Sequence, residues 1–260
     1  TIKMADKLNV KGLMNVQFAI KDKKIFVIEV NPRASRTIPF VSKSIGISVA
    51  KIAVKCMLGI SIKKQKLPRK IKHKFYFVKE VVFPFLKFPG VDPILGPEMK
   101  STGEVMGIGK NFGEAFAKSQ ISTNVVIPEN GTAFISVKNE DKKYIIDVAK
   151  KLLKFNFSLV ATHGTQEFLI KNNIECKRVN KVREGRTHIV DMIKNNEIDL
   201  IVNTTQTKQA IKDSYLIRRE ALQYKVCYTT TIAGANALVG AVSYSKNLNV
   251  YKLQDIFKLA

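Results

Sequence analysis

The segment from Ile28 to Thr37 brings together residues that could bind a metal ion and a phosphate. Glu29 and Asn31 carry side-chain oxygen atoms, and Arg33 and Arg36 follow closely. Magnesium accepts one or two carboxylates and completes its coordination shell with water and nucleotide phosphates. Guanidinium groups donate paired hydrogen bonds to phosphoryl or carboxylate oxygens. These residue types at this spacing predict chemistry on a phosphorylated substrate.

Two predicted strands should position these side chains. Residues 24–31 are β-branched or aromatic almost to Pro32, which should end the strand, and residues 13–20 have a similar character. Side chains alternate between the two faces of a strand. Glu29 and Asn31 should therefore point the same way.

The connection between these strands decides which residue faces Glu29. We expect a hairpin with residues 22–24 as its loop, which places Gln17 opposite Glu29, whereas a two-residue loop would break that register. In the expected register Gln17, Glu29 and Asn31 form one patch of oxygen ligands. The simpler interpretation is an edge hairpin with a solvated polar tip, but it must explain the two arginines as well.

Farther along, the pattern predicts a domain boundary and a change of architecture. A helix over residues 48–58, a strand over 75–82, an irregular segment over 84–109 and a helix over 112–120 precede the boundary, which we place between residues 121 and 122. Strands and helices then alternate, which predicts a doubly wound, mainly parallel sheet. The predicted strands are 132–137, 158–162, 177–180, 200–204 and 225–229, and the predicted helices are 142–155, 166–172, 188–195, 209–221 and 233–242.

Small polar residues cluster where three of these strands end, in residues 162–165, 203–206 and 229–231. Ligands bind outside the carboxyl ends of the strands in such sheets, and hydroxyls with free backbone N–H groups form anion sites. Lys142 and Lys181 could add positive charge. Helix N-capping explains any single loop, but three such loops favour a phosphate site.

The composition limits the class of protein. The net charge of +23 comes mostly from lysines spread along the chain, and the densest cluster, residues 63–74, has no interleaved aromatic residue for base stacking. A nucleic-acid-binding function therefore rests on charge alone, and we predict neither a nucleic-acid partner nor a membrane. Three widely spaced cysteines favour a reducing, cytoplasmic setting. The missing initiating Met indicates a fragment.

Several motifs resemble one enzyme family. Residues 12–19 and 29–34 are similar to the end of an ATP-grasp domain, more narrowly the second ATP-grasp half of carbamoyl phosphate synthetase large subunits. Residues 83–85, 87–93 and 95–107 match the same subunit in the same order. Residues 161–165, 179–182, 184–186 and 218–226 resemble the methylglyoxal-synthase-like regulatory domain at the C-terminal end of this subunit.

The resemblance implies a fold, a reaction and a set of site residues. Residues 1–121 would be the C-terminal part of an ATP-grasp domain, and residues 122–260 a doubly wound methylglyoxal-synthase-like domain. ATP with Mg²⁺ or Mn²⁺ would be held by Gln17, Glu29 and Asn31, with Asn31 and Arg33 catalytic in phosphorylating carbamate. The implied UMP or IMP ligands are Lys142, Thr162, Thr165, Lys181, Asn203 and Thr205, and the implied ornithine ligands are Glu80, Tyr228 and Thr230.

The same resemblance implies partners and a pathway. It implies a small glutaminase (amidotransferase) subunit, an oligomer of heterodimers, and synthesis of carbamoyl phosphate for arginine and pyrimidines. We expect no ATP turnover by this chain alone, because the glycine-rich lid and lysines of an ATP-grasp site are not in it. Residues 206–209 lack the arginine pair that the family carries there, and the tail from Ser243 matches only loosely.

The alternative is a free-standing lyase, methylglyoxal synthase, or an isolated nucleotide-binding regulatory module. The lyase needs an Asp base in a glycine-rich loop after a central strand. The corresponding loop here, residues 203–207, contains no carboxylate. We therefore expect no lyase activity.

Overall fold

The computed structural model describes residues 1–68, 74–88, 91–95, 99–206, 208–246 and 248–258. Some residues named above lie outside the described residues. They are 69–73 in the lysine-rich cluster 63–74, 89–90 and 96–98 in the motifs 87–93 and 95–107, and Thr207. One compact unit comprises Thr1–Lys74 with Tyr251–Ala260, and the other comprises Phe75–Val250.

The elements follow in chain order. The strands are β1 Asn15–Lys21, β2 Lys24–Asn31, β3 Tyr76–Val82, β4 Gly103–Gly109, β5 Gly131–Ser136, β6 Phe157–Ala161, β7 Lys177–Arg178, β8 Leu200–Asn203 and β9 Cys227–Thr229. The helices are α1 Ile2–Lys7, α2 Thr37–Ile45, α3 Val49–Met57, α4 Phe112–Ser122, α5 Lys142–Lys154, α6 His163–Lys171, α7 Ile189–Lys194, α8 Lys208–Asp213, α9 Tyr215–Gln223, α10 Ile232–Ala241 and α11 Leu253–Lys258.

The hairpin of β1 and β2 has the predicted pairing of Gln17 with Glu29, but its loop is shorter than predicted. Its loop is only Asp22 and Lys23, which have φ angles of 50° and 62°. Two positive φ angles are what a tight hairpin turn of type I′ requires. The predicted three-residue loop is therefore wrong.

A β-bulge corrects the register that the short loop would otherwise shift. The pairing is irregular between Gln17 and Phe18, so that Phe18 pairs with Val27 whereas Gln17 pairs with Glu29. The one extra residue in β2 at this point is Ile28. The predicted pairing of Gln17 with Glu29 is confirmed, and the expectation that a two-residue loop would break it is wrong.

Strand β4 lies in the segment that was predicted to be irregular. It pairs antiparallel with β3, and α4 packs against it. A Cβ atom built on Gly107 would lie 1.9 Å from the carbonyl oxygen of Ala115 in α4. The glycines interrupt the apolar pattern by which a strand is predicted from sequence. They also allow the helix to approach the strand closely.

Residues 75–121 pack with the parallel-sheet unit. Helix α4 crosses α10 so closely that a Cβ on Gly113 would lie 2.4 Å from the Gly240 carbonyl oxygen. Packing thus divides the chain after Lys74. The boundary between residues 121 and 122 stays a prediction based on sequence.

The five-stranded sheet is parallel, in the order β7-β6-β5-β8-β9. Ile135 and other residues on one face pack with α5 and α10, whereas Phe134 and others on the opposite face pack with α7 and α9. Helices on both faces confirm the predicted doubly wound α/β architecture. The order of successive strands reverses between β5 and β8, and this is the switch point at which ligands bind in such sheets.

Among the described residues, no single helix has the length and apolar character needed to cross a bilayer. Helices α2 and α3 have both only when taken together, as a pair bent by 109°.

Candidate functional site

The first candidate site lies at the end of the β1–β2 hairpin. Asn31 donates a hydrogen bond from Nδ2 to Glu29 Oε1 over 2.9 Å, so both side chains lie on one face, as predicted. Gln17 pairs with Glu29 across the strands, and paired residues share a face. The structure therefore brings the three predicted oxygen ligands together.

This group fits a hard cation that takes further ligands from a nucleotide. Donation from Nδ2 leaves the Asn31 Oδ1 atom available for a metal. The described residues contain no group of three or more His, Cys, Asp and Glu able to hold a metal ion. Glu29 with two amide oxygens is too few ligands to enclose Mg²⁺, which suits an ion that also binds water and ATP phosphates.

Arg33 lies in the turn that follows β2. Its backbone N–H donates to the Asn31 carbonyl oxygen at 2.8 Å, and its Nη1 donates to the Ala34 carbonyl oxygen at 3.0 Å. The Arg33 side chain is exposed, and its guanidinium group has further N–H donors besides the one that binds Ala34. Arg33 is thus positioned by the same turn that ends the ligand-bearing strand.

The second candidate site is formed where β5, β6 and β8 end. Thr165 Oγ1 accepts a hydrogen bond from the backbone N–H of Val137 at 3.2 Å, and the hydroxyls of Ser136 and Thr162 lie 3.1 Å apart. Thr162 does not use its side chain to cap α6. Simple N-capping, the alternative considered for this loop, does not describe Thr162.

The loop after β8 is connected to the same network. Thr204 Oγ1 accepts a hydrogen bond from the backbone N–H of Lys138 at 3.1 Å, and the Thr204 backbone donates to the Ser136 carbonyl oxygen at 2.9 Å. Asn203 and Thr204 are buried, and Thr205 is half-buried. Four of the predicted nucleotide ligands therefore lie at or just after the ends of β6 and β8, the two strands that flank β5. They are Thr162, Thr165, Asn203 and Thr205.

The two predicted lysines differ in position. Lys142 is the first residue of α5, and its Nζ lies 3.6 Å from where a Cβ on Gly164 would be, over the first turn of α6. Lys181 is exposed in the loop after β7, where its backbone N–H donates to Glu184 Oε2 at 2.9 Å. Lys142 joins the threonine cluster, whereas no recorded hydrogen bond connects Lys181 to it among the described residues.

The third threonine-rich loop has a different role. Thr231 Oγ1 accepts a hydrogen bond from the Gly234 N–H at 3.0 Å and caps α10. The Thr231 N–H in turn donates to Thr229 Oγ1 at 3.4 Å. N-capping therefore accounts for this loop, and the candidate anion site is limited to the ends of β5, β6 and β8.

A group missed by the sequence analysis links two of these loops. Glu140 Oε1 accepts a hydrogen bond from Gln206 Nε2 at 2.7 Å, and Glu140 Oε2 accepts one from Lys138 Nζ at 3.1 Å. The hydrogen bond from Lys138, and then that from Gln206, lower the pKa of the Glu140 carboxyl. A carboxylate is therefore present beside the loop in which the sequence showed none. No local pattern indicates this contact, because the partners are 66 positions apart.

The predicted ornithine ligands all lie in the unit of Phe75–Val250. Glu80 on β3 accepts a hydrogen bond from Gln120 Nε2 at 2.8 Å and another from the Val81 N–H at 3.1 Å. Tyr228 is on β9, where burial raises the pKa of its hydroxyl, and Thr230 is exposed just after this strand. The described contacts of Glu80 include neither Tyr228 nor Thr230.

Next to Tyr228, a buried arginine holds the irregular segment that joins β3 to β4. Arg218 is 4% exposed and donates from Nε and Nη2 to the two carboxylate oxygens of Asp92, at 3.1 and 2.7 Å. Arg218 Nη2 also donates to the Ile211 carbonyl oxygen at 3.0 Å. This paired contact fastens residues 91–95 to α9.

Comparison with known proteins gave two family matches. Residues 144–230 match the model of the MGS-like domain, and residues 1–65 match that of the carbamoyl-phosphate synthase L chain, ATP binding domain. A crystal structure of methylglyoxal synthase from Elizabethkingia anophelis matches 44% of this chain and 79% of that chain, at 20% identity and a TM-score of 0.35.

Full-length relatives share far more sequence. Carbamoyl phosphate synthase large chain from Pseudomonas syringae pv. tomato is 56% identical over 254 residues, and that from Buchnera aphidicola is 55% identical over 256 residues. Each alignment covers 98% of this chain and 24% of the relative. The chain thus spans about a quarter of the length of the relatives that it matches.

Proposed function

Because this chain belongs with the C-terminal portion of carbamoyl phosphate synthase large chains, we propose that it supplies part of a phosphorylation site and a regulatory domain to that enzyme. The reaction is the ATP-dependent phosphorylation of carbamate to carbamoyl phosphate. Glutamine hydrolysed by a small glutaminase subunit supplies the ammonia, in an oligomer of such heterodimers. The product serves arginine and pyrimidine synthesis.

Phosphoryl transfer requires positioning and charge neutralisation more than covalent chemistry by the protein. Gln17, Glu29 and Asn31 would hold Mg²⁺ or Mn²⁺, which bridges ATP phosphates and offsets their charge. Arg33 would donate to the phosphoryl group as it passes to carbamate. The hydrogen bond from Asn31 keeps the Glu29 carboxylate on the face that it shares with Gln17.

The hairpin is suited to work within a larger sheet. Ile20, Ile25 and Ile28 are each more than 60% exposed, although a two-stranded hairpin is at best marginally stable in water. This exposure supports our proposal that the isolated chain does not turn over ATP. Measurable carbamoyl phosphate formation by the isolated chain would contradict it.

The regulatory assignment depends on one observation, the hydroxyl network at the switch point. Thr162 and Thr165 are tied to the end of β5 on one side, and Thr204 is tied to it on the other. With the N-terminus of α6 and the ammonium group of Lys142, this arrangement suits a phosphate. We assign UMP or IMP to it, bound by Lys142, Thr162, Thr165, Lys181, Asn203 and Thr205.

A calorimetric titration of this chain with UMP tests the assignment. Thr165→Ala and Lys181→Ala should weaken saturable binding, whereas Thr165→Ser should retain most of it because the hydroxyl remains. Lys171→Ala, an exposed change of equal charge at the end of α6, is the control for Lys181. A folded chain that gives no heat with UMP or IMP would refute the assignment.

Ornithine is the second proposed effector, with Glu80, Tyr228 and Thr230 as its ligands. A carboxylate is a suitable partner for an ornithine ammonium group. Gln120 would orient the Glu80 carboxylate, since its amide donates to Oε2. Titration with ornithine should give heat that Glu80→Gln abolishes, and unchanged binding by that variant would exclude Glu80.

The lyase alternative gains one observation, since Glu140 places a carboxylate beside the loop after β8. The lowered pKa of this carboxyl makes it a weaker general base. We therefore retain the regulatory assignment. Formation of methylglyoxal from dihydroxyacetone phosphate, lost in Glu140→Gln, would reverse this conclusion.

A further inference from the structure

A side-chain bridge joins the loops that follow β5 and β8. Glu140, from the first loop, accepts hydrogen bonds from both Lys138 and Gln206, and Gln206 belongs to the second loop. The same loops are also joined by the hydrogen bond from the Lys138 backbone to Thr204. The bridge therefore adds a contact between side chains to two loops that are already joined by a bond from a backbone N–H to a side-chain hydroxyl.

The two loops follow the ends of β5 and β8, the switch point at which a doubly wound sheet binds its ligand. The bridge therefore lies at the candidate nucleotide site. Lys138 and Gln206 carry N–H donors of the kind that bind phosphate oxygens. Both are engaged by the Glu140 carboxylate, which is itself an anion with two acceptor oxygens. In a chain of net charge +23, this acidic group stands among donors that a phosphate would otherwise use.

We propose that Glu140 determines affinity at the nucleotide site by competing with the ligand phosphate for Lys138 and Gln206. This inference rests on the proposed regulatory function. In the free chain the carboxylate engages both donors, and in the bound chain the donors turn to the phosphate. The repulsion between the carboxylate and the phosphate adds to the cost of displacement. Glu140 therefore raises the effector concentration that is needed to fill the nucleotide site.

The Glu140 side chain is 63% exposed, so a substitution there should not disturb folding. Its lowered pKa, caused first by the hydrogen bond from Lys138, keeps the group ionised near neutral pH. Glu140→Gln removes the charge and keeps one acceptor for Gln206. Asp147→Asn removes one charge from an exposed position farther along α5 and is the matched control.

The test is calorimetric titration of the wild-type chain and both variants with UMP and, separately, with inorganic phosphate. Glu140→Gln should bind either probe about 5-fold to 10-fold more tightly at low ionic strength, and this gain should shrink with added salt. Asp147→Asn should stay within about 2-fold of wild type. The side-chain amide resonance of Gln206 should shift when phosphate is added to the wild-type chain, and it should also shift in Glu140→Gln. The shift on addition of phosphate is the one that a merely structural role of Glu140 would not produce.

The outcomes separate the two proposals. Unchanged or weaker binding by Glu140→Gln to both probes would overturn the role of Glu140. Tighter phosphate binding by Glu140→Gln, without any UMP binding, would support that role and refute the nucleotide assignment. If no variant binds either probe, both proposals fail.

Discussion

Asn31 donates a hydrogen bond to Glu29 across 2.9 Å, two positions apart on one face of β2. The bond holds the carboxylate while leaving the side-chain Oδ1 atom of Asn31 available as a ligand. In the full-length large chain, Asn31→Ala should therefore lower carbamoyl phosphate formation by about 100-fold. The substitution removes one proposed metal ligand, Asn31 Oδ1, and also the Nδ2 donor that orients the Glu29 carboxylate. Lys24→Ala, at the far end of the same strand, should have little effect. Near wild-type activity of Asn31→Ala would remove this residue from the site.

The turn of the same hairpin yields a prediction about stability. Lys23 has a φ of 62°, in the left-handed region that glycine adopts at the lowest cost. Lys23→Gly should stabilise the hairpin by about 0.5 to 1 kcal/mol and slow amide hydrogen exchange in β1 and β2. Lys24→Gly, one position later in the strand, should instead speed exchange. Faster exchange in Lys23→Gly would contradict the turn geometry.

The parallel sheet was predictable because β5, β6 and β8 each contain an apolar run, residues 133–135, 159–161 and 200–202, and these strands alternate with helical patterns. The hairpin register was predictable only in part, since the bulge at Ile28 has no signal in the residue types. Strand β4 was missed because Gly107 and Gly109 interrupt its apolar pattern. These positions are glycine because a Cβ atom there would clash with α4. Thr162 and Thr165 were found as local polar clusters, whereas Glu140 and Gln206 meet only through the sheet order.

The contact of β4 with α4 can be tested at Gly107. A Cβ at this position would lie 1.9 Å from the Ala115 carbonyl oxygen, so the helix must move to admit it. Gly107→Ala should lower the free energy of unfolding by about 3 kcal/mol in urea denaturation. Gly103→Ala, in the same strand with no atom within 4 Å of the added Cβ, should change it by less than about 0.5 kcal/mol. Equal stabilities of the two variants would show that α4 does not pack as described.

The paired contact of Arg218 with Asp92 predicts that lysine cannot replace this arginine. Lysine keeps the charge but loses the planar fork that binds both carboxylate oxygens. Arg218→Lys should cost about 2 kcal/mol in the free energy of unfolding, because the contact is largely buried. The exposed neighbour offers the control, and Arg219→Lys should cost less than about 0.5 kcal/mol. If both variants unfold at the same denaturant concentration, the contact contributes little.

The cysteines should differ sharply in reactivity. Burial raises the pKa of Cys176 and of Cys227 to about 12. Near pH 8 only about 1 in 10,000 of such thiols is ionised, and the thiolate is the reactive form. Cys56 is only half-buried.

A disulfide reagent such as Ellman's reagent should therefore react quickly with Cys56 alone in the native chain, and Cys56→Ser should abolish this fast phase. Keeping the two buried thiols protonated stabilises the fold fully below their unfolded pKa near 9, and this contribution is lost as the pH rises through the folded value of about 12. Stability should accordingly fall across that interval, less steeply in Cys227→Ala than in the wild-type chain. A fast native reaction at two or three thiols would show that the sheet does not bury Cys176 and Cys227 in solution.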